Sequence, residues 1–210
     1  MKEEKVFIPS DGIRLEGLLS IQEAPSSGGW VICCHPHPQF GGEMSHPVVT
    51  TALEAAFEEG FSTLRFNFRG VGESEGVYGE GIAERQDVRA AANYLGSRLG
   101  GTSSSRILVG YSFGAWAGFP VAVEDERFVG MVAIAPPLEI YDFGFLKGCR
   151  KKKLFIAGDH DAFCPSSLLE GWVQQLDDPK SLALIPGADH FLFGHTHLLV
   201  PPLKEFLKTI

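Results

Sequence analysis

The pattern Gly-x-Ser-x-Gly occurs twice, as Gly72-Glu73-Ser74-Glu75-Gly76 and as Gly110-Tyr111-Ser112-Phe113-Gly114. A serine in this pattern can act as a nucleophile when it sits at a sharp turn from strand to helix. The small flanking residues then let the two elements pass closely. With 25 glycines in the chain a chance match is not rare, so context decides. Ser112 meets the requirement: Arg106 to Val109 reads as an apolar strand leading in, and a helical segment follows Phe113. Ser74 does not. No strand directly precedes it, and Glu73 and Glu75 would disfavour an oxyanion beside it.

A serine hydroxyl needs a base, and the base needs an orienting acid. At such a turn the partners follow in the order Ser, Asp or Glu, His, each in a loop past the C-terminal end of a later strand. Strand Leu154 to Ile156 runs into Ala157-Gly158-Asp159-His160-Asp161. Asp161 is the expected acid, because Gly158 should turn the chain and aim Asp161 toward the serine strand. Asp159 is the alternative, or it satisfies loop amides. Of the seven histidines, His190 lies where the base is required, in Pro186-Gly187-Ala188-Asp189-His190-Phe191 after a strand at 182–185. His35, His37 and His46 precede the serine, and His195 and His197 belong to the start of the last helix.

An oxyanion hole requires two backbone N–H groups, one after the nucleophile and one after an earlier strand. Phe113 supplies the first. The second falls in His35-Pro36-His37-Pro38-Gln39-Phe40-Gly41-Gly42. Proline has no N–H, which leaves His37 as the expected donor, with Phe40, Gly41 and Gly42 as alternatives. Phe40, Trp116 and Phe191 are the expected substrate-pocket residues, and Phe113 and Phe193 are also nearby. Together they suit small, moderately apolar acyl groups. No metal site is expected, since neither His35-x-His37 nor His195-x-His197 is completed by a cysteine or carboxylate. No cofactor is called for. Cys33, Cys34, Cys149 and Cys164 form no C-x-x-C pair and read as buried or semi-buried free thiols.

These residues need a scaffold that brings strand ends together. Short apolar runs alternate with amphipathic ones. Strands are expected at 6–8, 15–21, 31–34, 63–66, 107–109, 129–134, 154–156 and 182–185. Helices are expected at 47–59, 82–99, 115–123, 166–176 and 197–207. Pro47 opens the first helix, Gly100-Gly101 stops the second, and Pro201 and Pro202 should distort the last. The loops at 26–29 and 103–105 are serine-rich and short. Alternation from residue 30 onward means an α/β fold with a mainly parallel sheet covered on both faces.

Composition sets the outer limits. The chain has 210 residues, 44% hydrophobic and 21% charged, ordinary for a globular protein and too apolar for a disordered one. Its net charge of −8 disfavours contact with phosphate backbones, so no nucleic-acid partner is expected. No run approaches the roughly 18 apolar residues that span a bilayer, so no membrane association is expected. The charged start Met1-Lys2-Glu3-Glu4-Lys5 lacks the apolar core of a signal peptide, so a cytoplasmic location is expected. The chain reads as one domain over 1–210.

Taken together, the motifs resemble the α/β-hydrolase superfamily. More narrowly, they are similar to small, lidless bacterial serine hydrolases related to dienelactone hydrolases. The resemblance rests on His35-Pro36-His37-Pro38 with Gly41-Gly42, Asn67-Phe68-Arg69-Gly70-Val71-Gly72-x-Ser74, Gly110 to Gly114, Ala135-Pro136-Pro137, Gly158-Asp159-x-Asp161 and Gly187 to Phe191. It implies an eight-stranded, mostly parallel sheet. It implies Ser112 as nucleophile, Asp161 as acid and His190 as base, and it makes the Ser74 segment a structural loop near the site. Dienelactone hydrolases proper carry cysteine where this chain has Ser112. Too few residues separate Pro137 from Lys153 for a helical lid. The expected activity is hydrolysis of small carboxylic esters, or thioesters, through an acyl-enzyme. A small serine peptidase and a catalytically idle binding scaffold are the alternatives.

Overall fold

The computed structural model describes residues 1–23, 29–99 and 105–210. The expected stop at Gly100-Gly101 and most of both serine-rich loops lie outside the described residues. The strands are β1 (Glu4–Ser10), β2 (Ile13–Ser20), β3 (Trp30–Cys34), β4 (Ser62–Phe66), β5 (Arg106–Tyr111), β6 (Phe128–Ile134), β7 (Lys152–Gly158) and β8 (Lys180–Ile185). The helices are α1 (Pro47–Glu58), α2 (Glu84–Leu99), α3 (Phe113–Glu124), α4 (Ser166–Gln174) and α5 (Val200–Leu207). Every element expected from the sequence is present.

The strands form one sheet in the order β1-β2-β4-β3-β5-β6-β7-β8. β1 pairs antiparallel with β2 through the turn at Asp11 and Gly12, and β2 pairs antiparallel with β4. All later pairings are parallel. The apolar runs explain this arrangement. β3, β4 and β5 are buried at every position, because helices cover both faces of the central strands. One core holds residues of α2, α3 and α4 against the sheet, and the other holds α1 and α5. α3 is apolar nearly all round because it lies between the sheet and α2.

Two details differ from the sequence expectation. Pro201 and Pro202 do not distort the last helix. A 3-10 turn at Thr196–Leu199 comes first, and the prolines stand in the opening turn of α5, where their missing N–H groups are not needed. Between β6 and β7, where a lid would be inserted, the chain makes only a 3-10 turn at Gly144–Leu146. The fold is therefore a lidless α/β-hydrolase fold. β4 and β5 leave β3 on opposite sides, which opens a crevice at the C-terminal strand ends.

Candidate active site

β5 ends at Tyr111, and α3 begins at Phe113. Ser112 between them has φ +53° and ψ −119°, a conformation that costs a residue bearing a Cβ about 1–3 kcal/mol. The bond from its N–H to Ile134 O at 2.8 Å helps hold it there. The glycines of the motif are required by contact. A Cβ on Gly110 would lie 2.4 Å from Ala115 Cα, and one on Gly114 would lie 2.2 Å from Cys34 O.

The Ser112 Oγ is 2.9 Å from His190 Nε2. His190 Nδ1 is 2.8 Å from Asp161 Oδ2 and 3.0 Å from Oδ1. Asp161 is buried, and its Oδ1 also accepts from the N–H groups of Phe163 and Cys164 at 2.8 and 2.9 Å. With every Asp161 contact a donor, a hydrogen on His190 Nδ1 is fixed, and Nε2 is left to accept from Ser112. Asp159 is spent elsewhere: its Oδ1 accepts from Gly187 N at 2.7 Å, bracing the loop that leads to His190.

Gly158 opens the expected turn, its O accepting from Asp161 N at 3.3 Å. It does so without the left-handed conformation. Glycine is needed there because a Cβ would lie 2.0 Å from Ala188 O. Its bare backbone lets the Asp161 and His190 loops lie against each other, and the bond from His160 N to Ala188 O at 3.0 Å ties them. From the other side, Tyr111 donates its hydroxyl to His190 O at 3.1 Å. Burial, reinforced by Asp161 and Asp189, raises the Tyr111 pKa and keeps it a donor. This contact was not anticipated, since Tyr111 reads only as a filler in the Gly-x-Ser-x-Gly pattern.

The loop after β3 narrows the choice of oxyanion donors. The N–H groups of Phe40 and Gly42 both donate to His37 O, at 3.1 and 3.0 Å. The His37 N–H has no protein acceptor among the described residues, and the Phe113 N–H is the first of α3, which a helix leaves unpaired. His37 Nδ1 accepts from Gln39 N at 3.2 Å, so the neutral ring donates through Nε2 to the Tyr78 hydroxyl at 3.2 Å. Burial lowers the His37 pKa and favours that neutral form. His35 is a brace: its Nε2 accepts from Phe68 N at 3.0 Å, and burial lowers its pKa to about 4.

The second Gly-x-Ser-x-Gly serine is structural. Ser74 is buried, its Oγ donating to Asn67 O at 2.7 Å and accepting from Glu16 N at 2.9 Å. Asn67 in turn accepts from Met44 N at 2.8 Å, which connects this segment to the loop bearing His37.

Ser112 and His190 open onto a cavity of about 600 Å³. Phe40, Ile140, Tyr141, Phe163 and Phe191 form its apolar walls, and among the described residues no Lys, Arg, Asp or Glu lines it. Phe40 and Phe191 are where the sequence places them. Trp116 is not: it stacks behind Tyr141, with ring centroids 4.3 Å apart, and does not line the cavity. Its ring packs against Gly81, with the Arg85 guanidinium 5.7 Å from its centroid. The four cysteines are buried free thiols, and burial raises the pKa of Cys33 and Cys34.

No protein-family model matches the chain. An uncharacterised protein of Rickettsia prowazekii is 31% identical over 205 residues, covering 94% of this chain and 85% of the relative. The solved structure of an alpha-beta serine hydrolase homologue from Coxiella burnetii superposes with a TM-score of 0.89 at 31% identity, over 98% of this chain and 97% of that one. A lidless serine hydrolase from Xanthomonas campestris gives 0.90 at 26% identity, over 100% and 95%. With the elbow at Ser112, the sheet order and these likenesses on hand, the chain belongs to the α/β-hydrolase superfamily as one of its lidless hydrolases.

Proposed function

We propose that the protein is a serine hydrolase that cleaves carboxylic esters of small apolar acyl groups, thioesters included, through an acyl-enzyme. The observation that carries this reading is the continuous line from Ser112 Oγ through His190 to Asp161, at 2.9 and 2.8 Å. Ser112 attacks the ester carbonyl carbon while its proton passes to His190 Nε2. Asp161 holds the Nδ1–H and stabilises the imidazolium that forms. The N–H groups of Phe113 and His37 receive the negative oxygen of the tetrahedral intermediate. Its collapse expels the alcohol, which takes the proton from Nε2. Water then attacks the acyl-enzyme by the same route in reverse and frees the acid and Ser112.

The strained backbone at Ser112 supports this reading, because such geometry persists only where the surroundings over-determine it. The uncharged, aromatic walls support a neutral, apolar substrate, since a charged group there would lose its hydration without a partner. The test is turnover of p-nitrophenyl butyrate by the protein and by Ser112→Ala. Substitution should reduce kcat by about 10⁴-fold or more, as loss of a triad nucleophile does. Equal turnover by the two proteins would sink the proposal.

A further inference from the structure

His46 is the residue before α1, and its ring lies on the cavity wall, 5.0 Å from the Tyr111 ring between centroids. Its Nδ1 accepts the N–H of Val48 at 3.2 Å, capping the helix. A ring nitrogen that accepts carries no hydrogen, so in the neutral ring the hydrogen is on Nε2. Burial lowers the His46 pKa and favours that neutral form, with Glu43 opposing more weakly.

The Nε2 has no protein partner among the described residues, yet it is not one of the polar atoms sealed without a partner. It is therefore accessible, on a residue that lines the cavity. The other side-chain donors on the wall are mostly spent. His37 and His190 use both ring nitrogens, and the Tyr111 hydroxyl is held by His190 O. The Tyr141 hydroxyl has no partner among the described residues, but its hydrogen rotates. The His46 donor is fixed in direction by the helix cap.

We infer, on the esterase reading above, that His46 selects substrates carrying an uncharged acceptor oxygen beyond the scissile ester, through a hydrogen bond from Nε2–H. A ketone, ether or hydroxyl oxygen fits this donor. A carboxylate does not, because no cation lines the cavity. Esters with a plain hydrocarbon in the same place leave the donor unpaired and are disfavoured.

The test uses matched ester pairs, in which a ketone in one member is replaced by a methyl branch in the other. One pair carries the change in the acyl chain of a p-nitrophenyl ester, over three chain lengths. The other carries it in the alcohol of a butyrate ester. The variant is His46→Asn, whose side-chain oxygen still caps Val48 while its amide does not reach the Nε2 position. The readout is the keto-to-methyl ratio of kcat/KM, which a purely structural role would not move. The wild type should prefer the keto member of at least one pair, and His46→Asn should lower that ratio about fivefold, the worth of a neutral hydrogen bond. A wild type without preference in either pair overturns the inference even if the variant fails to fold. So does a ratio left unchanged by His46→Asn. In both cases Ser112-dependent turnover keeps the esterase reading intact, whereas absence of such turnover for every ester overturns both.

Discussion

Tyr111 donates its hydroxyl to the carbonyl oxygen of His190 at 3.1 Å, so the residue before Ser112 holds the loop that carries His190. Tyr111→Phe removes this donor and leaves a buried carbonyl unpaired. A loss of about 1–2 kcal/mol in urea unfolding is expected. The base should also lose its fixed position, so kcat for p-nitrophenyl butyrate should fall about tenfold, with KM changing by less than about twofold. A stability loss with kcat unchanged would show that Tyr111 only packs.

Glycine substitutions separate contact from conformation. Gly42→Ala would drive a Cβ to 2.1 Å from Pro36 O, and Gly114→Ala to 2.2 Å from Cys34 O. Both neighbours are backbone and cannot swing away, so each change should cost about 2 kcal/mol or more and reduce turnover. Gly171 in α4 has nothing within 4 Å of its added Cβ. Gly171→Ala should stabilise by roughly 0.5–1 kcal/mol through helix propensity alone. Urea midpoints of the three variants check the order.

Ser74→Ala tests the second serine. It strips a buried hydroxyl from Asn67 O and Glu16 N, so it should cost about 1–3 kcal/mol of stability. Esterase turnover per folded molecule should stay within about twofold of wild type, since Ser74 touches no reacting atom. A collapse of kcat in well-folded Ser74→Ala would reassign the chemistry to that loop.

His35 predicts an acid limit. Its pKa falls from 6.5 to about 4 because burial disfavours the charged ring. A lowered folded-state value means that the unfolded chain binds the proton first. The stability from neutral His35 is therefore full above about pH 6.5 and is lost as pH falls toward about 4. At full extent this is worth roughly 3 kcal/mol. Protonation would also cancel the acceptor that holds Phe68 N. Unfolding free energies of wild type and His35→Leu, measured from pH 8 to pH 4, should differ by a constant above pH 6.5 and converge below it. Parallel curves would remove His35 from the account.

Much of this site was readable from sequence because its parts are punctuated. Each strand is a short apolar run, and each site loop begins where one ends, so Ser112, Asp161 and His190 could be placed by order alone. Gly-x-Ser-x-Gly did not by itself separate Ser112 from Ser74, but the strand before Ser112 did. The misreadings concern direction. Trp116 was expected in the cavity because it is aromatic and near Ser112, yet α3 rotates it behind Tyr141. Gly158 opens the turn its type suggests, but what requires glycine there is a backbone contact with Ala188, 30 residues later. Tyr111 and His46 carried no signal, because their roles depend on partners from other loops. Pro201 and Pro202 looked disruptive because the 3-10 turn before them leaves no periodicity to read.

The most direct test is to map the adduct of a fluorophosphonate probe on the native protein by peptide mass spectrometry. One adduct is expected, on the peptide containing Ser112, absent from Ser112→Ala and slowed in His190→Ala. A native protein that hydrolyses esters while its adduct lies on Ser74, or while Ser112 stays unlabelled, would contradict Ser112 as the nucleophile.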